Sequence, residues 1–398
     1  MKLAAVLLLV GCSSPVLLSR APVDTRLAVP RAALRSAAPT ATAAPPASAQ
    51  RPSRIADALP DRLSDADFWA LETRISEPGG YFQIEDNFTS NEMEVGELYS
   101  MLQAAHVHGG VYMGVGPEQN FTYIAAIHPQ MAFIVDIRRQ AVMQHLMFKA
   151  VFEMANDRAD FISLLFSKPR PAEIDSTTPI EQIWSAYRVV ATDTALATRN
   201  YKRIVDRLTK TQGFTFTADE SAKLKAVFDA FTAYGPSITT RGGASGRGGD
   251  FADLTGYSND STGHPRSFLS SEDNYRYVKS LQDRNLIVPV SGDFGGRHAI
   301  NAISSYVADH DAKVSAFYVS NVEQYLFMDG KQAVFYSNVS GLPVDSTSVF
   351  IRPYSMRRGF GGYSGGNPTR SLCPIAGFMQ AVMHGQVTSN NDALACAR

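Results

Sequence analysis

Between residues 110 and 136 the apolar positions change their period twice. Gly110 to Met113 is a short run of the kind that forms a buried strand, and Gly114-Val115-Gly116 interrupts it. Phe121, Ile124, Ala125 and Ile127 then recur at helical spacing, and Met131 to Val135 is again a continuous apolar run that delivers Asp136. The pattern predicts strand, glycine turn, helix and strand. Pro117 occupies the first helical position, where its missing N–H is not needed, and His128-Pro129 stops the helix.

The same reading extends along the chain. Ser64 is placed to cap a helix through Arg74 carrying Phe68, Leu71 and, at its edge, Ile75, which Pro78-Gly79-Gly80 ends; a second helix is expected from Ser90 to Ala105. A long helical pattern from Ala141 to Phe166 puts Leu146, Met147, Ala150, Val151 and Met154 on one face. The next strand, Leu286 to Val290, lies far beyond it, whereas a simple crossover needs about 30 residues in all. Thr178-Pro179-Ile180-Glu181 and Thr217-Ala218-Asp219-Glu220 read as capping boxes, and Ser271 starts another helix. Residues 155–280 are therefore expected to form a helical insertion, in which the glycine-rich stretch 241–249 reads as a surface linker or, less simply, a phosphate cradle. A helix from Ala299 to Ala308 and strands at Val314 to Tyr318 and Ser348 to Arg352 complete the expected core. The fold class is α/β: a Rossmann-like, mostly parallel sheet flanked by helices, with a large helical insertion between the second and third core strands. The core is split into 59–154 and 281–355, and the glycine-rich tail 356–398 stays unassigned.

At 398 residues and 45% hydrophobic content the chain can build a sizeable core. A net charge of −1 and a pI near 6.7 provide no basic field for nucleic acid or anionic lipid, and the pairs Arg138-Arg139 and Arg357-Arg358 are too short to create one. The expected partner is a small-molecule ligand. The N-terminus adds a membrane element of a different kind. Lys2, the apolar run Leu3 to Val10 and Leu9-Val10-Gly11-Cys12 resemble a bacterial lipoprotein signal over residues 1–12, with Cys12 as the lipidated residue. Residues 13–58, rich in Ala, Pro and Ser, then read as a tether with too few large apolar groups to fold. The implied location is exported and lipid-anchored, at the outer membrane in a Gram-negative cell because Ser13 follows the cysteine. A fortuitous apolar start would leave the protein cytoplasmic. Cys373 and Cys396 remain as an even pair, either one disulfide in an oxidising compartment or two buried thiols. His106 and His108 lack a third ligand, so no metal site is expected.

Gly116 and Asp136 lie 20 residues apart, roughly the separation at which an acid after a second Rossmann strand takes ribose hydroxyls. Gln119 stands where a dinucleotide fingerprint has its third glycine, which favours a single nucleoside over a pyrophosphate. A plain tight turn is the alternative. Glu118, Gln119 and Asn120 sit at the helix start, where they either bond a ligand or serve capping and the helix dipole.

The segments GVGPEQNF, VDIRR, NLIVPVSGDF and SNVEQYL look like a family of uncharacterised bacterial proteins, and the arrangement over residues 64–353 resembles the class I S-adenosylmethionine-dependent methyltransferase fold. That resemblance implies S-adenosylmethionine as cofactor, with Gly114 and Gly116 near its methionine part, Asp136 on the ribose and Asp293 at the adenine. It puts substrate-binding or catalytic groups after the fourth strand, at Ser320, Asn321 and Glu323, with Tyr325 nearby. Tyr112 replaces the acid before the glycine motif, Glu118 its third glycine, and no antiparallel closure of the sheet is predicted. The expected function is a methyltransferase-like protein binding S-adenosylmethionine or a related nucleoside. The alternative is a lipid-anchored periplasmic or surface binding protein on a non-catalytic nucleotide-binding scaffold.

Overall fold

A computed structural model of the chain describes residues 58–84, 86–243, 249–352, 357–358, 362–363 and 371–396. Cys12, the tether up to residue 57 and the centre of the 241–249 stretch lie outside them.

Five strands run parallel: β1 (Val111–Gly114), β2 (Met131–Asp136), β3 (Ile287–Ser291), β4 (Val314–Tyr318) and β5 (Val349–Ile351). A separate hairpin pairs β6 (Arg357–Arg358) with β7 (Gly362–Tyr363), and β8 (Leu372–Pro374) joins the main sheet antiparallel to β5. The sheet order is β3-β2-β1-β4-β5-β8. Every position of β1 to β5 is buried, which is why these strands read as unbroken apolar runs rather than alternating ones. Pro289, which has no N–H to give a second neighbour, sits in β3 at the sheet edge opposite Ile134.

Helices α1 (Asp65–Ile75), α2 (Val95–Ala104), α3 (Gln119–Ile127) and α4 (Arg139–Met154) belong to the first half of the core. Ser64 caps α1 by accepting the Asp67 N–H at 3.0 Å. The insertion carries α5 (Arg158–Phe166), α6 (Ile180–Val189), α7 (Thr194–Asp206), α8 (Ala218–Tyr234) and α9 (Phe251–Gly256), and α10 (Glu272–Asp283) leads back to β3. The second half has α11 (Ala299–Asp309), α12 (Val322–Met328) and α13 (Gln332–Ser340), followed by α14 (Ile375–Met383) and α15 (Asn390–Leu394). Residues Val142 to Phe152 of α4 are buried all round. Phe231 of α8 meets Phe148 of α4 and Phe166 of α5 with ring centres 5.6 and 5.9 Å apart, so the insertion's apolar side chains continue the same core.

Four local expectations change, each because a polar group has a better partner. The pattern 141–166 is two helices, since Asp157 breaks it and caps α5 through the Asp160 N–H at 2.8 Å. α2 starts at Val95 rather than Ser90, whose N–H donates to the Glu118 carboxylate. α3 starts at Gln119 rather than Pro117, because Asn120 Nδ2 takes the Pro117 carbonyl at 2.7 Å. Thr178 caps nothing: it exchanges hydrogen bonds with Asp175 and leaves Pro179 as the N-cap of α6. Thr217 forms the full capping box at α8.

The largest correction is the tail. It supplies the antiparallel strand β8, with Phe350 opposite Cys373, and a Cys373–Cys396 disulfide spanning 23 residues with Cα atoms 5.7 Å apart. Closing a loop of that length restricts the unfolded chain by about 3 kcal/mol. Urea unfolding of the intact chain should therefore shift by about that amount on adding dithiothreitol, while Cys373→Ser unfolds at the reduced midpoint with or without it. Equal midpoints for the oxidised and reduced parent would contradict the pairing.

Candidate functional site

In an open parallel sheet ligands bind outside the carboxyl ends of the strands, where the strand order reverses. Here that place is between β1 and β4, and a cavity of about 880 Å³ lies there. The turn after β1 forms its floor. Gly116 has φ +81°, a conformation side chains rarely adopt, and a Cβ there would face open space with Asn87 Nδ2 nearest at 3.8 Å. Gly114 is needed for the opposite reason, since a Cβ would press into Tyr112 and Asn120.

The turn is held from behind. Asn120 Nδ2 donates to the carbonyls of Val115 (3.0 Å), Gly116 (3.1 Å) and Pro117 (2.7 Å), while its Oδ1 accepts the Tyr112 hydroxyl at 2.8 Å. His145 Nε2 lies 2.9 Å from the Gly116 carbonyl, which requires that nitrogen to carry the proton. Gly114 and Asn120 therefore shape the turn without lining the cavity, a correction to their expected role as ligand contacts. Gly116 and Gln119 do line it.

A second wall is formed by residues 77–84 and 86–94, which line the cavity at Tyr81 to Ile84, Asn87, Ser90 and Asn91. Its Glu77 and Gly80 N–H groups donate to Ser291 and Ile137 carbonyls at 2.8 Å, and its Phe88 carbonyl accepts Gln144 Nε2 at 2.7 Å. Glu118, fully buried, accepts the Ser90 N–H with both oxygens at 3.1 and 3.2 Å and does not line the cavity. It is the fastener of this wall rather than a ligand contact.

Asp136 and Asp293 both reach the cavity, but neither is free. Asp136 is held in a two-point pair by Arg138 (Nε to Oδ1 2.9 Å, Nη2 to Oδ2 2.8 Å) and also accepts the Arg138 N–H. Arg138 Nη1 then donates to the Ile84 carbonyl at 3.2 Å, so the pair joins β2 to the wall. Asp293 accepts the Gly295 N–H at 2.8 Å and Lys331 Nζ at 2.9 Å.

After β4 the expected residues separate. Ser320, Asn321 and Tyr325 line the cavity, and Tyr325 meets Phe82 of the wall edge to face at 4.8 Å. Glu323 points into the core, where it binds Arg352 through Nε (2.6 Å) and Nη2 (2.9 Å) and accepts the Tyr336 hydroxyl at 2.9 Å. It ties α12 to the end of β5, which removes it from the catalytic candidates.

Sequence reading missed Glu92. Its Oε1 accepts the hydroxyls of Tyr318 (2.7 Å) and Ser320 (2.8 Å), and Tyr318 in turn accepts the Gln119 amide. The other oxygen, Oε2, is buried without a partner, and burial pushes the carboxyl above its ordinary pKa. The only signal was Tyr318 itself, a hydroxyl at the end of an apolar strand. Among the described residues no group of three or more His, Cys, Asp or Glu side chains is placed to hold a metal ion, and no helix is long and apolar enough to cross a membrane.

Two buried groups give the site opposite responses to pH. Burial pushes His145 down to about 4 from 6.5, so the unfolded imidazole binds a proton that the folded one refuses; its contribution is full above pH 6.5 and is lost as pH falls towards 4. Burial pushes Glu118 up to about 7 from 4.5, so its contribution is full below pH 4.5 and is lost as pH rises through 7. Glu118→Gln should therefore gain thermal stability relative to the parent between pH 5 and pH 8, by on the order of 3 kcal/mol at the upper end. Melting curves that stay parallel over this range would refute the assignment.

A comparison with curated proteins gives no match. A family model described as domain of unknown function (DUF7790) matches residues 87–223 and 254–391. The two matched segments take in the glycine turn, much of the insertion and β8, and together they exceed half of the chain. The chain thus belongs to the DUF7790 family, with a Rossmann-like α/β fold.

Proposed function

We propose that the cavity binds a nucleoside-type small molecule, with S-adenosylmethionine or a related nucleoside as the ligand to try first. One observation carries this reading: a ligand-sized cavity at the β1/β4 switch point, floored by the open left-handed turn at Gly116. The turn fits a ligand approaching the backbone closely, because the space a Cβ would take is free. The acid fits less simply. Both Asp136 oxygens are already bonded to Arg138, so a ribose would meet the carboxylate–guanidinium pair rather than a free carboxylate. If S-adenosylmethionine is bound it supplies the activated methyl group, and this chain's part is to hold an acceptor in line with it. Ser320, Asn321 and Tyr325 are among the cavity groups after β4 that can do so.

A second reading has its own support. Asp136 and Glu323 are both consumed by arginines, which suits a binding protein on a scaffold without transferase chemistry. Lipid anchoring at Cys12 belongs with that reading, and the Cys373–Cys396 disulfide suits an oxidising compartment.

Calorimetric titration of the full chain with S-adenosylmethionine and S-adenosylhomocysteine should give micromolar binding, weakened at least tenfold in Gly116→Ala, whose Cβ enters the cavity under a positive φ. No heat and no thermal stabilisation by either ligand would end the cofactor proposal. For the anchor, palmitate should label the parent in bacterial cells and not Cys12→Ala, and an unlabelled, cytoplasmic parent would refute it.

A further inference from the structure

Ser320 is one of the few non-glycine residues with a left-handed backbone, at φ +46°. It follows β4 and precedes α12, so a sharp strand-to-helix turn places it in the cavity lining. Such strain in a non-glycine residue persists where the surroundings over-determine it, and it concentrates at functional sites. The surroundings here are specific. The Ser320 hydroxyl donates to Glu92 Oε1 at 2.8 Å, and the same oxygen accepts the Tyr318 hydroxyl at 2.7 Å. Gln119, which lines the cavity, donates one amide hydrogen to Tyr318 and keeps a second. Glu92 carries no counter-cation among the described residues, and its Oε2 has no partner at all. A structural carboxylate in such a position would be expected to be satisfied at both oxygens.

We propose that Ser320 is a nucleophile and Glu92 its general base, a hydroxyl–carboxylate pair acting on esters or other activated acyl compounds in the cavity. The geometry meets the requirement for an activated hydroxyl: nucleophile and base are within hydrogen-bond reach, and the base is itself oriented by a third group, Tyr318. Burial raises the proton affinity of Glu92 above that of an exposed carboxylate, which makes it the stronger acceptor. In the first half-reaction Ser320 Oγ bonds to the acyl carbon and its proton passes to Glu92. The ester C–O bond then breaks, and the leaving alcohol takes that proton. In the second, water attacks the acyl-serine, gives a proton to Glu92, and releases the acid as Ser320 recovers its hydrogen. No other co-reactant is needed. The inference does not depend on the cavity binding a nucleoside.

The test uses diisopropyl fluorophosphate, which reports an activated serine without knowledge of the natural substrate. Ser320 Oγ bonds to phosphorus, fluoride leaves, and the serine proton goes to Glu92. On the full-length chain, intact mass and peptide mapping should show one adduct, at Ser320, absent from Ser320→Ala. Glu92→Gln should slow labelling by about a hundredfold. A thermal melt of Glu92→Gln that overlays the parent's separates loss of the base from loss of the fold, and Tyr318→Phe, which removes the group orienting Glu92, should label more slowly than the parent. No adduct at Ser320 in the parent, or labelling of other serines at the same rate, would overturn the proposal. Equal rates in Glu92→Gln and the parent would remove Glu92 as the base and overturn it equally.

Discussion

Three consecutive carbonyls at Val115, Gly116 and Pro117 are the constraint from which the site is built. They follow a buried strand, point into the protein and have no strand or helix to accept from, so each requires a donor. The two amide hydrogens of Asn120, itself held by Tyr112, are shared among all three, and His145 adds a further donor at Gly116. With the carbonyls held behind it, the turn offers its other side to the cavity, and α3 is set back to begin at Gln119. That displacement brings Glu118 to Ser90 and Gln119 to Tyr318.

The wall over the cavity is held by these attachments together with apolar packing, in which buried Phe88 meets Phe231. Glu118 holds it at Ser90, Arg138 at Ile84 and Gln144 at Phe88, and each reaches a backbone group of the wall. Because peptide groups carry part of the attachment, some of the wall's side chains are left to face the cavity. Asn87 and Asn91 do so, and Phe82 lines the cavity while packing on Tyr325.

The fold was legible where burial dictates residue type. Strands covered on both faces must be continuously apolar, so Met131 to Val135 and Val314 to Tyr318 announced themselves, and the glycine turn with Asp136 pointed to the right end of the sheet. Roles inside the site were less legible, because they depend on partners the chain order does not reveal. Asp136 looked free although its partner is two residues away. Glu323 looked available although Arg352 holds it, and Glu92 meets Tyr318 and Ser320 across 226 and 228 residues. The tail carries few long apolar runs, since β8 has only three residues at an edge and draws its stability from β5 and the disulfide.

That last strand has a consequence for biogenesis. β5 lies beside β4 on one flank, and among the described residues its other flank is covered by residues 372–374, with Cys373 tied to Cys396. Until residues 372–396 have been made and paired, the sheet presents an apolar open edge, the kind that pairs with neighbouring chains. The emerging core must be shielded, or kept unfolded, until residues 372–396 are in place. A chain that loses them would retain nearly all of its core and still be prone to aggregate.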